Sequence, residues 1–410
     1  MDRVHCRAVV HRQVCACHRQ EVSFCRWGRP VEDVRKAVDG GRVLSIDALR
    51  GFDMFWIIGG GTIFESLAEV WKHPVAQTVR VQLEHVQWEG FHFEDLIFPL
   101  FLFLVGAVLP FALSRRVERG EGSLRIHLHV VRRAALLVLL GLILNGLLRF
   151  DWPQMRWPGV LQRIGLCYFL GALVVLHTKW RRQAILIGVV LLAYWAVTML
   201  VPAPWGAEAL APQSATYVVG DLTPQRCLSS WVDQQLIPGS LYYKYGDNEG
   251  ILSTFPAVCT VLLGALAGQW LRSSRSGARK TVGLALAGVV CLVVGYLWGL
   301  VFPIIKILWT SSYVLFAGGW SLLLLAVFYG VIDVLGLRRW AFPFVVIGMN
   351  AITIYFLQNL VDFDRIGEFF LHGAARHAGV IAALLVPLGA FAARWLFLWL
   401  LYRHRIFFKV

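Results

Sequence analysis

Asp95-Leu96-Ile97-Phe98-Pro99-Leu100-Phe101-Leu102-Phe103-Leu104-Val105-Gly106-Ala107-Val108-Leu109-Pro110-Phe111-Ala112-Leu113-Ser114 carries a single charge, at its first residue. An apolar run of about 20 residues matches the hydrocarbon thickness of a bilayer when it is helical. Similar runs fall at roughly 46–66, 129–150, 159–177, 184–203, 251–272, 281–301, 312–333, 342–360 and 379–402. Composition agrees: 58% of the residues are hydrophobic and only 16% charged, which a soluble domain could not cover without large apolar patches. The expectation is an all-α, polytopic transmembrane helix bundle of about ten spans, with the lipid bilayer as its first partner.

The net charge of +14 points to nucleic acid only until its distribution is read. With a cytosolic N-terminus, the even-numbered gaps between spans carry Arg115, Arg116, Arg119 and Arg125, then Lys179, Arg181 and Arg182, then Arg272, Arg275, Arg279 and Lys280, then Arg338 and Arg339. The C-terminal tail adds Arg403, Arg405 and Lys409. The odd gaps hold scattered cations such as Lys72, Arg156, Arg226 and Lys306. This is the positive-inside pattern, and it predicts that both termini are cytosolic while the loops 67–94 and 204–250 face outward. No nucleic-acid partner is needed to explain the cations.

Two segments make up the chain on this reading. Residues 1–42 are a basic tail with Cys6, Cys15, Cys17 and Cys25, disordered or the product of an early start assignment, and with no apolar core of a cleavable signal. Cys15-x-Cys17-His18 lacks the CxxC pairs of common zinc sites, so no metal is expected. Residues 43–410 are the membrane domain. Inside it, Gly59-Gly60-Gly61 allows either close helix approach or local unwinding. Asp47 and Arg50 stand three apart in the first span and can pair, with Asp53 a further turn along. Gln162, Arg163, Asn350 and Glu249 add polar groups in or beside other spans, as packing glue or as the lining of a polar cavity.

One stretch before the quoted run bears on chemistry. Leu83-Glu84-His85-Val86-Gln87-Trp88-Glu89-Gly90 sets a histidine among carboxylates at a membrane surface, where a side chain titrating near neutrality is suited to moving protons. By itself, His85 reads equally as an interfacial histidine and Trp88 as a belt residue.

Four blocks spread over about 43–360 resemble the heparan-alpha-glucosaminide N-acetyltransferase family and its bacterial relatives among the transmembrane acyltransferases. They are Ser45-Ile46-Asp47-Ala48-Leu49-Arg50-Gly51, then His85-Val86-Gln87-Trp88-Glu89-Gly90 with Asp95-Leu96-Ile97-Phe98-Pro99, then Pro158-Gly159-Val160-Leu161-Gln162-Arg163-Ile164-Gly165, and Lys306-Ile307-Leu308-Trp309-Thr310-Ser311-Ser312-Tyr313 with Gly348-Met349-Asn350. Glu249-Gly250-Ile251-Leu252-Ser253-Thr254 also fits. The first block is shared with other membrane acyltransferases.

The resemblance implies an enzyme that passes acetyl from cytosolic acetyl-CoA to an amino sugar or glycan across the membrane, and by family analogy a homodimer. It implies that His85 is catalytic, as general base or as transient acyl carrier. Asp53 and Asn350 are the other catalytic candidates. Arg163, Lys306, Trp309 and Gln162 are candidates for holding the acetyl-CoA, with Lys306, Trp309 and Asn350 also positioned as oxyanion donors. Trp88, Glu89, Asp95 and Glu249 are candidates for the acceptor. The asparagine that lysosomal members carry just before the glycine triplet has no counterpart here, since Ile58 precedes Gly59. No large luminal domain is found before the first span, so the expected host is a bacterium and the membrane its inner one. Two other classes stay open: O-acylation of cell-envelope glycans, and small-molecule transport.

Overall fold

A computed structural model describes residues 43–205 and 216–408. The predicted tail 1–42 and its cysteines lie outside the described residues. Among the described residues, eight helices are long and apolar enough to cross a membrane: α4 (Glu94–Glu118), α5 (Ser123–Leu144), α6 (Val160–His177), α7 (Trp180–Leu200), α9 (Ile251–Arg272), α10 (Gly277–Gly299), α11 (Ser311–Phe328, prolonged by a wide turn to Val334) and α15 (Ala382–Arg403, entered through a tight turn from Gly379). The chain is therefore read as an integral membrane protein.

The remaining two expected spans, the first and the ninth, are helices with a break. The first runs as α1 (Leu44–Phe55), a widened turn over Trp56–Gly60, and α2 (Gly61–Val70). The helix departs from regular geometry at Ile58 and Gly59, and Gly59 takes a φ of 114°, which a residue with a Cβ adopts only under strain. Of the two readings of the glycine triplet, local unwinding is the one observed. The ninth is α12 (Phe342–Met349) and α13 (Ala351–Leu357), interrupted at Asn350. Non-helical backbone at membrane depth persists where it is covered by protein or lines a cavity, and both breaks meet that condition.

Helix approach is set by small residues. A Cβ at Gly51 would fall 1.7 Å from the Phe344 carbonyl oxygen, and one at Gly348 would fall 2.0 Å from that of Asp47. The two broken helices thus touch backbone to backbone through residues of the first and last motif blocks. Arg50 ties the contact, donating from Nε to the Gly348 carbonyl at 2.8 Å while pairing with Asp47 at 2.6 Å, as the spacing of those two residues predicted. On the other side of the bundle, Gly106 of α4 and Gly264 of α9 leave no room for a Cβ against the facing backbone.

Short elements cover one end of the bundle. They are α3 (Pro74–Gln82), a two-stranded antiparallel ribbon of β1 (Ala203–Trp205) and β2 (Thr216–Val218), α8 (Leu228–Leu236) and α14 (Phe363–Ala375). The loop with His85, the 300–310 loop and the end of the 204–250 loop converge at this end.

Candidate active site

Asp95 is the organising residue. It sits in the first turn of α4, where an acidic side chain complements the helix dipole. Its Oδ2 accepts the backbone N–H of His92 at 3.0 Å and of Val86 at 3.3 Å, which folds the preceding loop back over the helix start. Its Oδ1 lies 3.1 Å from His85 Nδ1 and 3.2 Å from Lys306 Nζ, and Lys306 Nζ is itself 3.1 Å from His85 Nδ1. The Tyr313 hydroxyl, from the first turn of α11, donates to the Asp95 backbone carbonyl at 2.7 Å. Asp95 is buried, its side chain only 2% exposed, whereas that of His85 is 60% exposed. The carboxylate orients; the imidazole presents itself.

The loops that carry His85 and Lys306 brace each other. Glu89 pairs with Ile305 as an isolated antiparallel bridge, and Gly90, at a φ of 124°, donates its N–H to the Ile304 carbonyl at 2.9 Å. Trp88 packs against Cys227, Ile305 and Leu308, and its indole N–H donates to the Leu222 carbonyl at 2.9 Å. The 300–310 loop then turns sharply: Trp309 holds a φ of 51°, with its N–H on the Lys306 carbonyl at 2.9 Å. A tryptophan in left-handed backbone is strained and persists only when its surroundings impose it. Here they do. The buried indole donates to Thr260 Oγ1 at 3.1 Å, meets Phe98 and Tyr313 edge-on, and lies under the Arg163 guanidinium at 5.1 Å.

Burial pushes Lys306 below the usual lysine value, while the carboxylates of Asp95, Glu94 and Glu249 act to hold its charge.

A cavity of about 290 Å³ opens beside His85 and Lys306. That is the lower end of the roughly 300–1,000 Å³ of small-ligand pockets, enough for an extended arm but not for a whole coenzyme. Its deep wall is apolar: Ile97, Phe98 and Phe101 along one face of α4, Met54 and Ile57 from the first broken helix, and Ile352 and Tyr355 from the second. Its rim is charged. Arg156 binds Asp247 through two hydrogen bonds, Nε to Oδ2 at 2.8 Å and a terminal nitrogen to Oδ1 at 2.6 Å, also pairs with Glu249, and lies 4.8 Å over the Tyr242 ring. Burial would raise the Asp247 carboxyl, but its bonds to Arg156 outweigh that and hold it low. Asp233 of α8 accepts the N–H of Ile251 at 2.9 Å, capping α9 from outside its own sequence; burial pushes its carboxyl up to about 6.

The residues picked out from the sequence divide into three groups. His85, Lys306, Trp309 and Glu249 line the cavity, and Asp95 holds two of them. Trp88, Glu89, Gln162 and Arg163 do not line it. Gln162 donates to the Trp157 carbonyl at 3.2 Å, and Arg163 bonds Gly250 and Ser253 with its charge set over Trp309. The Trp309 indole N–H is engaged by Thr260, so in this conformation it is no free oxyanion donor. Asn350 and Asp53 line neither this cavity nor the one beside it. Asn350 donates to the Ile406 carbonyl at 3.1 Å and accepts from the Phe408 N–H at 3.3 Å, which ties the helix break to the C-terminal segment. Asp53 is buried with both carboxylate oxygens unpartnered.

Arg156, Glu94 and Tyr355 line the cavity without having been singled out as site residues. Arg156 reads in the sequence as one more scattered loop cation, and its partners lie 91 and 93 residues away. The acidic run Asp247-Asn248-Glu249 before an apolar span was the available signal.

Comparison with known proteins places the chain. Residues 42–207 match a protein family described as a domain of unknown function, DUF5009. The chain is 26% identical over 432 aligned residues to heparan-alpha-glucosaminide N-acetyltransferase of Homo sapiens, covering 90% of this chain and 60% of that protein. It is 25% identical over 384 residues to the Mus musculus protein of the same name, covering 80% and 56%. The resemblance carried by the motif blocks is thus borne out as a distant relationship over most of the chain. The chain spans between 56% and 60% of the length of these relatives.

Proposed function

We propose that this membrane protein is an acetyl-CoA-dependent N-acetyltransferase that acylates an amino sugar or glycan on the outer side of the membrane, with His85 as general base. The observation that carries this reading is His85 held against buried Asp95 beside Lys306, at the mouth of a cavity with an apolar floor. Two relatives named as N-acetyltransferases support it.

The chemistry follows from the tautomer. With Nδ1–H donating to Asp95 Oδ1, the imidazole keeps a lone pair on Nε2. Lys306 then donates to Asp95 rather than to the histidine, since Nδ1 cannot donate and accept at once. A neutral amine attacks the thioester carbonyl of the acetyl donor, and Nε2 takes the proton that the nitrogen loses. The C–N bond forms, the C–S bond breaks, and the imidazolium returns its proton to the departing thiolate. Asp95 steadies the imidazolium, and the Lys306 ammonium is the nearest cation to offset charge gathering on the carbonyl oxygen. The apolar floor suits the thioester arm of a donor that reaches His85 from the cytosolic side. The inner loops would face the cytosol, the membrane would be the bacterial inner one, and the protein a homodimer.

The test is transfer of radiolabelled acetyl from acetyl-CoA to glucosamine by purified protein and by His85→Ala. Transfer by the first that vanishes in the second, with coenzyme A binding intact, is the expected result. Equal transfer in both removes His85 from the mechanism. Absence of coenzyme A binding in both would favour the transporter.

A further inference from the structure

A second cavity, of about 280 Å³, lies against the break in the first helix. It shares Ile57 and Glu94 with the first, so Glu94 stands in the wall between them. Trp56, Gly59, Glu65, Asp364 and Arg394 contribute the part that matters for recognition. The absence of a Cβ at Gly59 makes room for Arg394, whose terminal nitrogen would lie 3.2 Å from such an atom.

The polar groups here are mismatched with one another. Arg394 is 8% exposed and pairs with Asp364 at 3.1 Å, yet its Nε–H has no acceptor. The Trp56 indole N–H also has no acceptor. Glu65 and Glu94 lie within range of each other's charge; His85 and Lys306 act on Glu94 from the first cavity, and among the described residues no hydrogen bond or ion pair engages either carboxylate. Leaving the two N–H groups unpaired out of water is costly. A ligand that brings a cation to the two glutamates would balance the negative charge of this wall. A metal ion fits less well, because no three acidic, histidine or cysteine side chains among the described residues converge on one point.

We propose that this second cavity is the acceptor subsite and takes the protonated amine of an amino sugar. Glu65 and Glu94 receive the ammonium, and the sugar ring lies beside the Trp56 indole. Glu94, common to both cavities, takes one proton from the ammonium and releases it to solvent through the second cavity, so that a neutral amine passes toward His85. The assignment rests on the acetyltransferase reading for the identity of the ligand.

Equilibrium binding of glucosamine, glucose and N-acetylglucosamine to the full chain in lipid nanodiscs, with no acetyl donor present, tests it. Glucosamine is expected to bind at least about tenfold tighter than the two neutral sugars, the scale of one charge-assisted contact. Glu65→Gln should remove that preference, Glu65→Asp should restore part of it, and neither should alter coenzyme A affinity, which reports folding. Equal affinity for the three sugars, or an unchanged preference in Glu65→Gln, overturns the subsite. The two proposals fail separately. Acetyl transfer to glucosamine with wild-type KM in Glu65→Gln removes the subsite and leaves the enzyme. Glutamate-dependent glucosamine binding with no acetyl transfer by any preparation supports the subsite and removes the enzyme.

Discussion

His85 Nδ1 has two suitors within 3.1 Å, the Asp95 carboxylate and the Lys306 ammonium, and they favour opposite tautomers. Asp95 wants a proton on Nδ1 and leaves Nε2 basic; Lys306 wants a lone pair on Nδ1 and leaves Nε2 protonated. Asp95→Asn is close to isosteric, yet it removes the charge that decides between them. We expect it to lower kcat by at least about 100-fold, the scale of one positioned acid–base group, while coenzyme A affinity changes little. Lys306→Ala should lower kcat by removing the cation nearest the reacting carbonyl, but leave the histidine with one partner. A double variant less impaired than the sum of the singles would show that the three act as a unit; strict additivity would show that they do not. At this scale the sequence was legible where function and adjacency coincide. His85 and Asp95 lie ten residues apart, in one block, and the block drew attention to both. Lys306 came from a block 211 residues beyond Asp95. Arg156 was missed because an ion pair between distant loops has no period and no spacing.

Among elements, the two broken helices separate what pattern reading can do from what it cannot. Hydropathy marked both as apolar segments, since apolar content survives a break. It left the geometry of Gly59-Gly60-Gly61 undecided, and it did not predict the interruption at Asn350. That interruption depends on an amide satisfied by the C-terminal segment, a contact between elements that are distant in sequence. Gly59→Ala should accordingly disturb both cavities, whose walls include Ile57 just before the break; a fall in thermal stability together with weakened ligand binding is the expected result. The loop before α9 offers a second check. Arg156→Ala leaves Asp247 buried and unpaired, and the cost should be about 3–5 kcal/mol, read as a fall in thermal midpoint that Arg156→Lys recovers in part. Asp233 titrates near 6 in the fold against 3.8 for a free side chain, so the folded state holds its proton more tightly. Stability contributed by that proton is present below about pH 4 and is lost as pH rises through 6. Asp233→Asn, which can still accept the Ile251 N–H, should flatten the pH dependence of the melting temperature between pH 4 and 6; an unchanged slope would clear Asp233 of that role.

For the whole molecule, orientation decides whether the chemistry has to cross the membrane at all. The sequence predicts ten crossings with both ends cytosolic, and among the described residues eight helices are long and apolar enough to serve. Whether the broken pairs complete the count sets which side each loop occupies. The cationic turns at Arg272–Lys280 and Arg115–Arg125 and the His85 loop lie at opposite ends of α9 and α4, so one fixed loop fixes the rest. With the cysteines otherwise replaced, an impermeant maleimide applied to intact cells should label Thr78→Cys and Gln225→Cys. It should reach Ser274→Cys, or a retained Cys25, only after permeabilisation. Labelling of Cys25 from outside together with Thr78→Cys would mean that the first broken helix enters and returns without crossing. Labelling of Ser274→Cys from outside, with Gln225→Cys protected, would invert the molecule. His85 would then face the same compartment as acetyl-CoA, no transmembrane path for the donor would be needed, and the acceptor would have to be a cytosolic amine. The positive-inside charge distribution argues against that inversion, because four consecutive inner turns would have to carry their arginines outward.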